Sequence, residues 1–310
     1  MSKPWILVSP ASRGIGHALT RHLLRTTTAP ILATARTDLP GVRASLLDSL
    51  FPSPPPPSHS HSQNKDASTR LHLLPLDVTS EPTISAASAT AARLFPPSTH
   101  HLRLAFALPG ILRPEKSPRD VDHDAALAML QTNTLGPLML MKWFGEFLPR
   151  RGTRVAGWGE VFSPPPPPTS SPSSSSSHGD AGGEGADAEN TTATWLTASA
   201  RVGSTSDNRL GGWFTYRASK SAVVSLTRTF DHHLRSRSGA NAAAIAYHPG
   251  TVRTGLSEAF WERVGSDKLF SAEFAVERMV EVVRRRGGGG KEGEGDRGRC
   301  WDWKGEEVLP

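Results

Sequence analysis

The chain has 310 residues, 37% of them hydrophobic, which is enough to bury the core of one large globular domain. Lys and Arg number 35 against 29 Asp and Glu, and the resulting formal charge of +6 suits a polyanionic ligand. The single cysteine, Cys300, excludes an internal disulfide and a cysteine-based zinc site. The apolar run near the start is too short for a membrane span and lacks a cleavage pattern, so we expect a cytoplasmic protein.

Three low-complexity segments interrupt the chain at about residues 52–68, 163–193 and 287–298. They are rich in proline, serine or glycine and lack the apolar residues that would offset the entropic cost of ordering them. We expect disordered surface loops inserted into one domain that spans residues 1–310. The His59/His61 pair in the first segment superficially resembles a metal site, but no strand or helix frames it, so we predict no metal site.

Outside these segments, short apolar runs alternate with longer stretches of helical character. The apolar runs predict strands at residues 5–9, 31–36, 71–76, 102–108, 194–199 and 242–248. The intervening stretches predict helices at residues 14–25, 82–95, 121–148 and 216–235. Nearly continuous apolar strands alternating with helices are typical of a parallel sheet covered on both faces. We therefore predict a Rossmann-type α/β fold, a doubly wound parallel sheet in three α/β/α layers with ligands at the carboxyl ends of its strands.

A turn with the sequence SPASRGIGHAL follows the first predicted strand and enters a helix. Gly14 and Gly16 open that helix, and the backbone N–H groups of a helix N-terminus bind phosphate. Tight helix packing is the alternative reason for small residues there. Arg36 follows the second strand, where dinucleotide-binding folds meet the adenosine ribose and where arginine accommodates a 2′-phosphate. With Arg13 as a second cation in the turn, this pattern favours NADP(H) over NAD(H).

Tyr216 precedes Lys220 by four residues, so helical spacing places both side chains on one face of a helix. A half-buried core tyrosine beside an exposed lysine would give the same spacing. A tyrosine at a reaction site can donate a proton to a developing alkoxide. Its ordinary pKa of about 10 is high for that task, and we expect the neighbouring ammonium group to lower it by favouring the phenolate.

Six motifs, in this order and spacing, resemble the short-chain dehydrogenase/reductase superfamily over almost the whole chain once the insertions are skipped. They are ASRGIG at 11–16, LDVT at 76–79, TNTLGP at 132–137, SARVGS at 199–204, YRASK at 216–220 and HPGTVRT at 248–254. The stretches SARVGSTSDNRLGGW, YHPGTVRTGLS and GRCWDWKGEE look most similar to the C-factor-like carbonyl reductases. The resemblance implies an NADP-dependent oxidoreductase that transfers hydride between NADPH and a small carbonyl or alcohol substrate.

The resemblance also implies a catalytic set, which is Asn133, Ser199, Tyr216 and Lys220. Tyr216 would be the acid/base, Lys220 would tune it and bind the nicotinamide ribose, and Asn133 would hold a proton-relaying water. The serine is ambiguous, because aligning the glycine of SARVGS puts Ala200 in the family's serine position. Ser199 lies one residue earlier and Ser204 lies just beyond; we predict Ser199 and leave Ser204 open.

Cofactor contacts are implied for residues that follow the strands. They are Ser9, Ser12, Arg13, Gly14, Ile15, Gly16, Arg36, Asp77, Val78, Gly110, Lys220, Pro249, Gly250, Thr251 and Thr254. Two departures from the family pattern would weaken cofactor binding: Ser9-Pro10 replaces Thr-Gly in the turn, and Leu108-Pro109 replaces Asn-Ala before Gly110. We expect binding to survive, because Gly14, Gly16, Arg36 and the catalytic residues are present. Residues 255–270 should form a substrate lid, where aromatic residues would either line an apolar pocket or pack within the lid.

Partners follow from the same resemblance, which implies a homodimer or homotetramer. We predict no membrane binding and no nucleic-acid binding, because the only dense basic run, residues 284–286, ends a predicted helix where cations favour the helix C-terminus. A non-catalytic NADP(H)-binding regulatory or scaffold protein is the alternative, motivated by the altered turn and the ambiguous serine.

Overall fold

The computed structural model describes residues 1–51, 66–162, 191–287 and 295–310. Most of the three predicted insertions, including the His59/His61 pair, lies outside the described residues. Their edges are described: residues 66–70 are helical, Ala193 begins a strand, and Arg297 is buried.

A parallel sheet of seven strands forms the centre of the molecule, in the order β3-β2-β1-β4-β5-β6-β9. The strands are β1 (Lys3–Ser9), β2 (Ile31–Ala35), β3 (Leu71–Pro75), β4 (His100–Ala107), β5 (Ala193–Ala198), β6 (Ala242–His248), β7 (Thr251–Val252), β8 (Leu269–Phe270) and β9 (Cys300–Asp302), of which β7 and β8 form a separate pair. Every pair in the large sheet is parallel. The strand order reverses between β1 and β4, and ligands of such sheets bind in the crevice at that reversal.

Helices cover both faces of the sheet. They are α1 (Gly14–Thr26), α2 (Leu39–Leu47), α3 (Glu81–Leu94), α4 (His123–Leu130), α5 (Gly136–Phe144), α6 (Trp158–Val161), α7 (Phe214–Ser238) and α8 (Ala272–Arg286). One core cluster packs α1, α2 and α8 against the sheet, and a second packs α3, α5 and α7 against the opposite face. The predicted three-layer Rossmann-type fold is therefore confirmed.

Strand β1 shows why the apolar runs are nearly continuous. Ile6 and Val8 belong to the first core cluster, whereas Trp5 and Leu7 belong to the second. Successive side chains of a strand point to opposite faces, so a strand with helices on both sides must be apolar at every position. The six predicted strands are all present.

Three helical elements differ from the prediction. The single helix predicted for residues 121–148 is divided into α4, a π-helical turn at Gln131–Leu135, and α5. Helix α2 was not predicted, and for α8 only the end at residues 284–286 was predicted. The three-residue strand β9 was not predicted either. Within the described ranges, no helix is both long and apolar enough to cross a bilayer.

Candidate active site

The turn after β1 is built to leave backbone N–H groups open at the start of α1. Gly14 has φ +58°, and a Cβ on Gly16 would lie 1.9 Å from the carbonyl oxygen of Pro10, so only glycine fits there. Arg13, the N-cap residue of α1, makes no capping hydrogen bond with its side chain, and the first turn of α1 contains no acidic residue. A helix N-terminus without a side-chain cap offers its N–H groups and positive dipole end to an anion.

Other predicted cofactor residues lie around this turn in different ways. A Cβ on Gly14 would lie 3.4 Å from Cγ2 of Thr254, so the segment after β7 lies against the turn. The Ser9 side chain is fully buried and accepts a hydrogen bond from the Thr34 hydroxyl at 2.8 Å, so only its backbone lies at the turn. Ile15 packs partly against the core, and Ser12 is half-buried.

Arg36 is exposed directly after β2 and lies near Asp77, which follows β3. The Asp77 carboxylate accepts hydrogen bonds from the backbone N–H of Thr79 at 2.9 Å and from its hydroxyl at 2.7 Å. Although burial acts to raise it, these hydrogen bonds and the attraction of Arg36 hold the pKa of Asp77 below its ordinary value. Asp77 is therefore ionised at neutral pH and Arg36 is the cation beside it. The next residue, Val78, packs against Gly136 at the start of α5.

Asn133 is fully buried in the π-helical turn, where its side-chain amide joins two other segments. Its Oδ1 accepts from the backbone N–H of Ile111 at 2.8 Å, and its Nδ2 donates to the Ile111 carbonyl at 2.9 Å. Nδ2 also donates to the hydroxyl of Ser219 in α7 at 3.1 Å. A π turn widens the helix locally and is frequent at functional sites. Here it lets Asn133 fasten the β4–α4 loop to the helix that carries Tyr216.

Lys220 and Tyr216 meet at the carboxyl edge of the sheet. The Lys220 ammonium donates to the carbonyl of Ala198, the last residue of β5, at 2.9 Å, and it lies 5.8 Å from the centre of the Tyr216 ring. A Cβ on Gly110, which follows β4, would lie 3.7 Å from this ammonium and 4.0 Å from Oδ1 of Asn133. Four of the predicted site residues are thus brought together where β4 and β5 end.

Burial dominates the pKa values of this pair. It lowers the pKa of Lys220 to about 8 and raises the pKa of Tyr216 to about 12. The predicted lowering of the Tyr216 pKa is wrong for the protein without cofactor. Burial disfavours the charged phenolate, and this effect outweighs the attraction of the nearby ammonium group. A tyrosine with this pKa is fully protonated at neutral pH.

The two candidate serines use their hydroxyls elsewhere. Ser199 donates to the backbone carbonyl of Lys220 at 3.4 Å and also hydrogen-bonds the buried thiol of Cys300. The Ser204 hydroxyl accepts from the backbone N–H of Asp207 at 3.0 Å. Ala200 precedes a short 3-10 turn at Arg201–Gly203. Among the described residues, neither hydroxyl hydrogen-bonds Tyr216, and the assignment of Ser199 stays a prediction.

The loop after β6 leads from the site to the predicted lid. Pro249 is half-buried, Gly250 has φ +75°, and Thr251 begins β7. The ring of Phe260, in the predicted lid, packs against the ring of Trp213 with 5.0 Å between ring centres. Trp213 in turn packs edge-on against Tyr216, with 6.0 Å between ring centres. An aromatic contact path therefore runs from the lid to Tyr216.

Glu115 is a residue of this region that sequence reasoning missed. Its side chain is only 2% exposed, and its carboxylate binds the first turn of α7. A lone glutamate in a polar loop is normally solvated, so nothing in one sequence distinguishes this one.

Within the described ranges, no three His, Cys, Asp or Glu side chains group so that they could hold a metal ion.

No protein-family model matches the chain, and no curated protein matches its sequence. The fold does match solved structures. An NADPH-bound carbonyl reductase from chicken fatty liver superposes with a TM-score of 0.67 at 22% identity, covering 100% of both chains. The carbonyl reductase Sniffer of D. melanogaster gives 0.69 at 19% identity, also covering 100% of both chains. A short-chain dehydrogenase from Burkholderia cenocepacia in complex with NADP gives 0.63 at 16% identity, covering 97% of this chain and 96% of the other.

Proposed function

We propose that this chain, whose fold is shared with the short-chain dehydrogenases/reductases and resembles that of carbonyl reductases, is an NADP(H)-dependent oxidoreductase acting on a carbonyl or alcohol substrate. One observation carries the proposal. Four predicted site residues lie together at the carboxyl ends of the strands, beside the point where the strand order reverses: Gly110, Asn133, Tyr216 and Lys220. The first turn of α1, whose N–H groups have no side-chain cap and could bind an anion, begins at the same edge of the sheet. Ligands of doubly wound sheets bind at that place.

The residues around the first turn fit a phosphorylated dinucleotide. The uncapped start of α1 would bind the pyrophosphate, and Gly110 leaves room for the close approach of a ribose between β4 and Lys220. Arg36, with Arg13 in the turn, would hold a 2′-phosphate, which favours NADPH over NADH. NADPH, when bound, supplies the hydride.

In the direction of reduction, Tyr216 holds the proton that the substrate oxygen must receive. Its pKa of about 12 keeps the hydroxyl protonated, so it can donate as the carbonyl carbon accepts hydride and the oxygen gains charge. The O–H bond of Tyr216 breaks, the O–H bond of the product alcohol forms, and a phenolate remains. The Lys220 ammonium stabilises that phenolate, which solvent then reprotonates.

Tyr216→Phe tests the proposal, because it removes the proton and little else. We expect NADPH to bind the purified variant as tightly as the wild type, by fluorescence titration. Turnover with any carbonyl that the wild type reduces should fall by about 10²- to 10⁴-fold, the usual contribution of a general acid. Unchanged turnover would refute the role of Tyr216.

A non-catalytic NADP(H)-binding regulatory or scaffold protein is the second candidate. It is favoured by the serines: Ala200 stands in the expected position, and both neighbouring hydroxyls are engaged with other groups. A panel of aldehydes, ketones and quinones separates the two functions. NADPH binding at micromolar affinity without NADPH consumption would support this alternative.

A further inference from the structure

Glu115 is a buried carboxylate for which the proposed reaction has no direct use. It lies in the β4–α4 loop, and both carboxylate oxygens accept hydrogen bonds from Thr215, one hundred residues later. Oε2 accepts from the backbone N–H of Thr215 at 2.7 Å, and Oε1 accepts from its hydroxyl, also at 2.7 Å. The backbone carbonyl of Glu115 accepts from the N–H of Trp213 at 2.6 Å.

Helix α7 needs such a partner because it cannot cap itself. Its N-cap residue, Trp213, has φ +52° and makes no side-chain capping hydrogen bond. The first N–H groups of a helix lack partners within the helix, and a carboxylate is well suited to accept from them. The cap of α7 therefore comes from a distant segment of the chain.

The same loop is fastened to the other side of the site. The backbone N–H and carbonyl of Ile111 both hydrogen-bond the side-chain amide of Asn133. The backbone N–H of Arg113 donates to the sulfur of Met129 at 3.4 Å. Residues 110–115 thus join the π turn to the start of α7. Tyr216 follows Thr215 directly, so its hydroxyl is carried by the turn that Glu115 holds.

We propose that Glu115 is a positioning residue, which fixes the first turn of α7 and with it the Tyr216 hydroxyl in the geometry for proton transfer. This role rests on the proposed oxidoreductase function. A displacement of about 1 Å in a reacting group can lower a rate by about 10²-fold, so a movable first turn would affect turnover much more than cofactor binding.

Two substitutions at Glu115 separate hydrogen bonding from charge. Glu115→Ala removes both acceptors. In Glu115→Gln, the amide oxygen can accept from the Thr215 N–H while the amide nitrogen donates to the Thr215 hydroxyl, because a hydroxyl also accepts. Thr215→Val is a third variant, which loses only the hydroxyl partner. Asp122→Ala is the control for loss of a helix cap, since Asp122 caps α4 through the N–H of Ala125 at 2.9 Å and has no described contact with α7. The other described contact of its side chain is an exposed ion pair with Arg113 at 3.4 Å, and such pairs contribute little to stability.

In steady-state kinetics, we expect Glu115→Ala to lower kcat by about 10- to 100-fold while the Kd for NADPH stays within about threefold. Glu115→Gln should retain most of the wild-type kcat, and Thr215→Val should lose less than Glu115→Ala. Asp122→Ala should keep kcat while lowering the melting temperature. A wild-type kcat in folded Glu115→Ala, or an equal loss in Glu115→Gln, would overturn the role.

A spectroscopic readout makes the test independent of turnover. The chain has two tyrosines, Tyr216 and Tyr247, so protein labelled with [ζ-¹³C]tyrosine gives two signals that Tyr216→Phe assigns. The Tyr216 signal should shift or broaden in Glu115→Ala and remain in place in Glu115→Gln and Asp122→Ala. An unmoved signal in Glu115→Ala contradicts the positioning role, whereas absence of wild-type turnover contradicts only the proposed reaction.

Discussion

Arg36 is the residue on which cofactor choice should depend. It is exposed directly after β2, where a dinucleotide would place its adenosine ribose. Arg36→Asp exchanges a cation for an anion that would repel the 2′-phosphate and accept a hydrogen bond from a free 2′-hydroxyl. A hydrogen bond to a charged group contributes about 1.5–3 kcal/mol, so we expect the Kd for NADPH to rise by at least about tenfold. Titration with NADPH and NADH measures the reversed preference.

A matched control excludes a general effect of charge. Arg93→Asp makes the same change of charge in the last turn of α3, where Arg93 hydrogen-bonds only the neighbouring Thr90 side chain among its described contacts. Helices of this fold run antiparallel to the strands, so the end of α3 lies at the opposite edge of the sheet. Equal weakening of NADPH binding in both variants would refute a specific contact from Arg36.

The sequence predicts which residues form the site, but not how burial changes their chemistry. Helical spacing predicted that Tyr216 and Lys220 share a face, and the family resemblance added Gly110 and Asn133 to the site. The structure brings these four residues together. The direction of the Tyr216 pKa was not predicted, because burial is a property of the folded environment. The role of Glu115 was invisible for the same reason: its partner, Thr215, is distant in sequence.

At the scale of elements, apolar runs predicted the six long strands because five of them are largely buried on both faces. The sixth, the edge strand β3, is only partly buried but still packs Leu71 and Leu74 against the two core clusters. Periodicity gave no bounds for α2, whose nine residues include a proline and a glycine. It also could not divide the helix around Asn133, since a π turn changes the backbone hydrogen bonds without changing the sequence pattern. Strand β9 is three residues long, too short for a pattern.

The segment from α4 through the π turn carries the proposed self-association of the chain. Three leucines within nine residues of this segment are exposed to solvent: Leu127 by 54%, Leu130 by 38% and Leu135 by 48%. Complete burial of a leucine side chain contributes about 1.5–3 kcal/mol, so covering them with a second copy would be favourable. We expect a homodimer or homotetramer, and Leu127→Asp should shift it towards monomer in analytical ultracentrifugation.

Leu94→Asp is the control for this substitution, because Leu94 is 38% exposed and lies at the end of α3 instead. It should leave the association state unchanged. A wild-type protein that sediments as a monomer at micromolar concentration would contradict the proposed assembly.

At the scale of the whole molecule, one buried ion pair joins the C-terminal segment to the rest of the domain. Arg297 is 7% exposed and Asp231, in α7, is 1% exposed. The Nε of Arg297 lies 3.0 and 3.1 Å from the two carboxylate oxygens. Its other nitrogens donate to the carbonyls of Gly239 at 2.9 Å and Ala242 at 2.8 Å. These contacts hold the segment that continues into β9 beside β6.

Arg297→Met should therefore destabilise the fold strongly, because it removes the buried cation from the Asp231 carboxylate and leaves it with the half-exposed Arg235 and the backbone N–H of Ala244. Removing one member of a buried pair costs about 3–5 kcal/mol, measured as the free energy of unfolding in urea. Arg299→Met is the control two residues away, since the Arg299–Glu307 pair is 41% and 28% exposed and such pairs contribute about 0–1 kcal/mol. If both variants lose the same stability, Arg297 does not anchor the C-terminal strand through its buried charge.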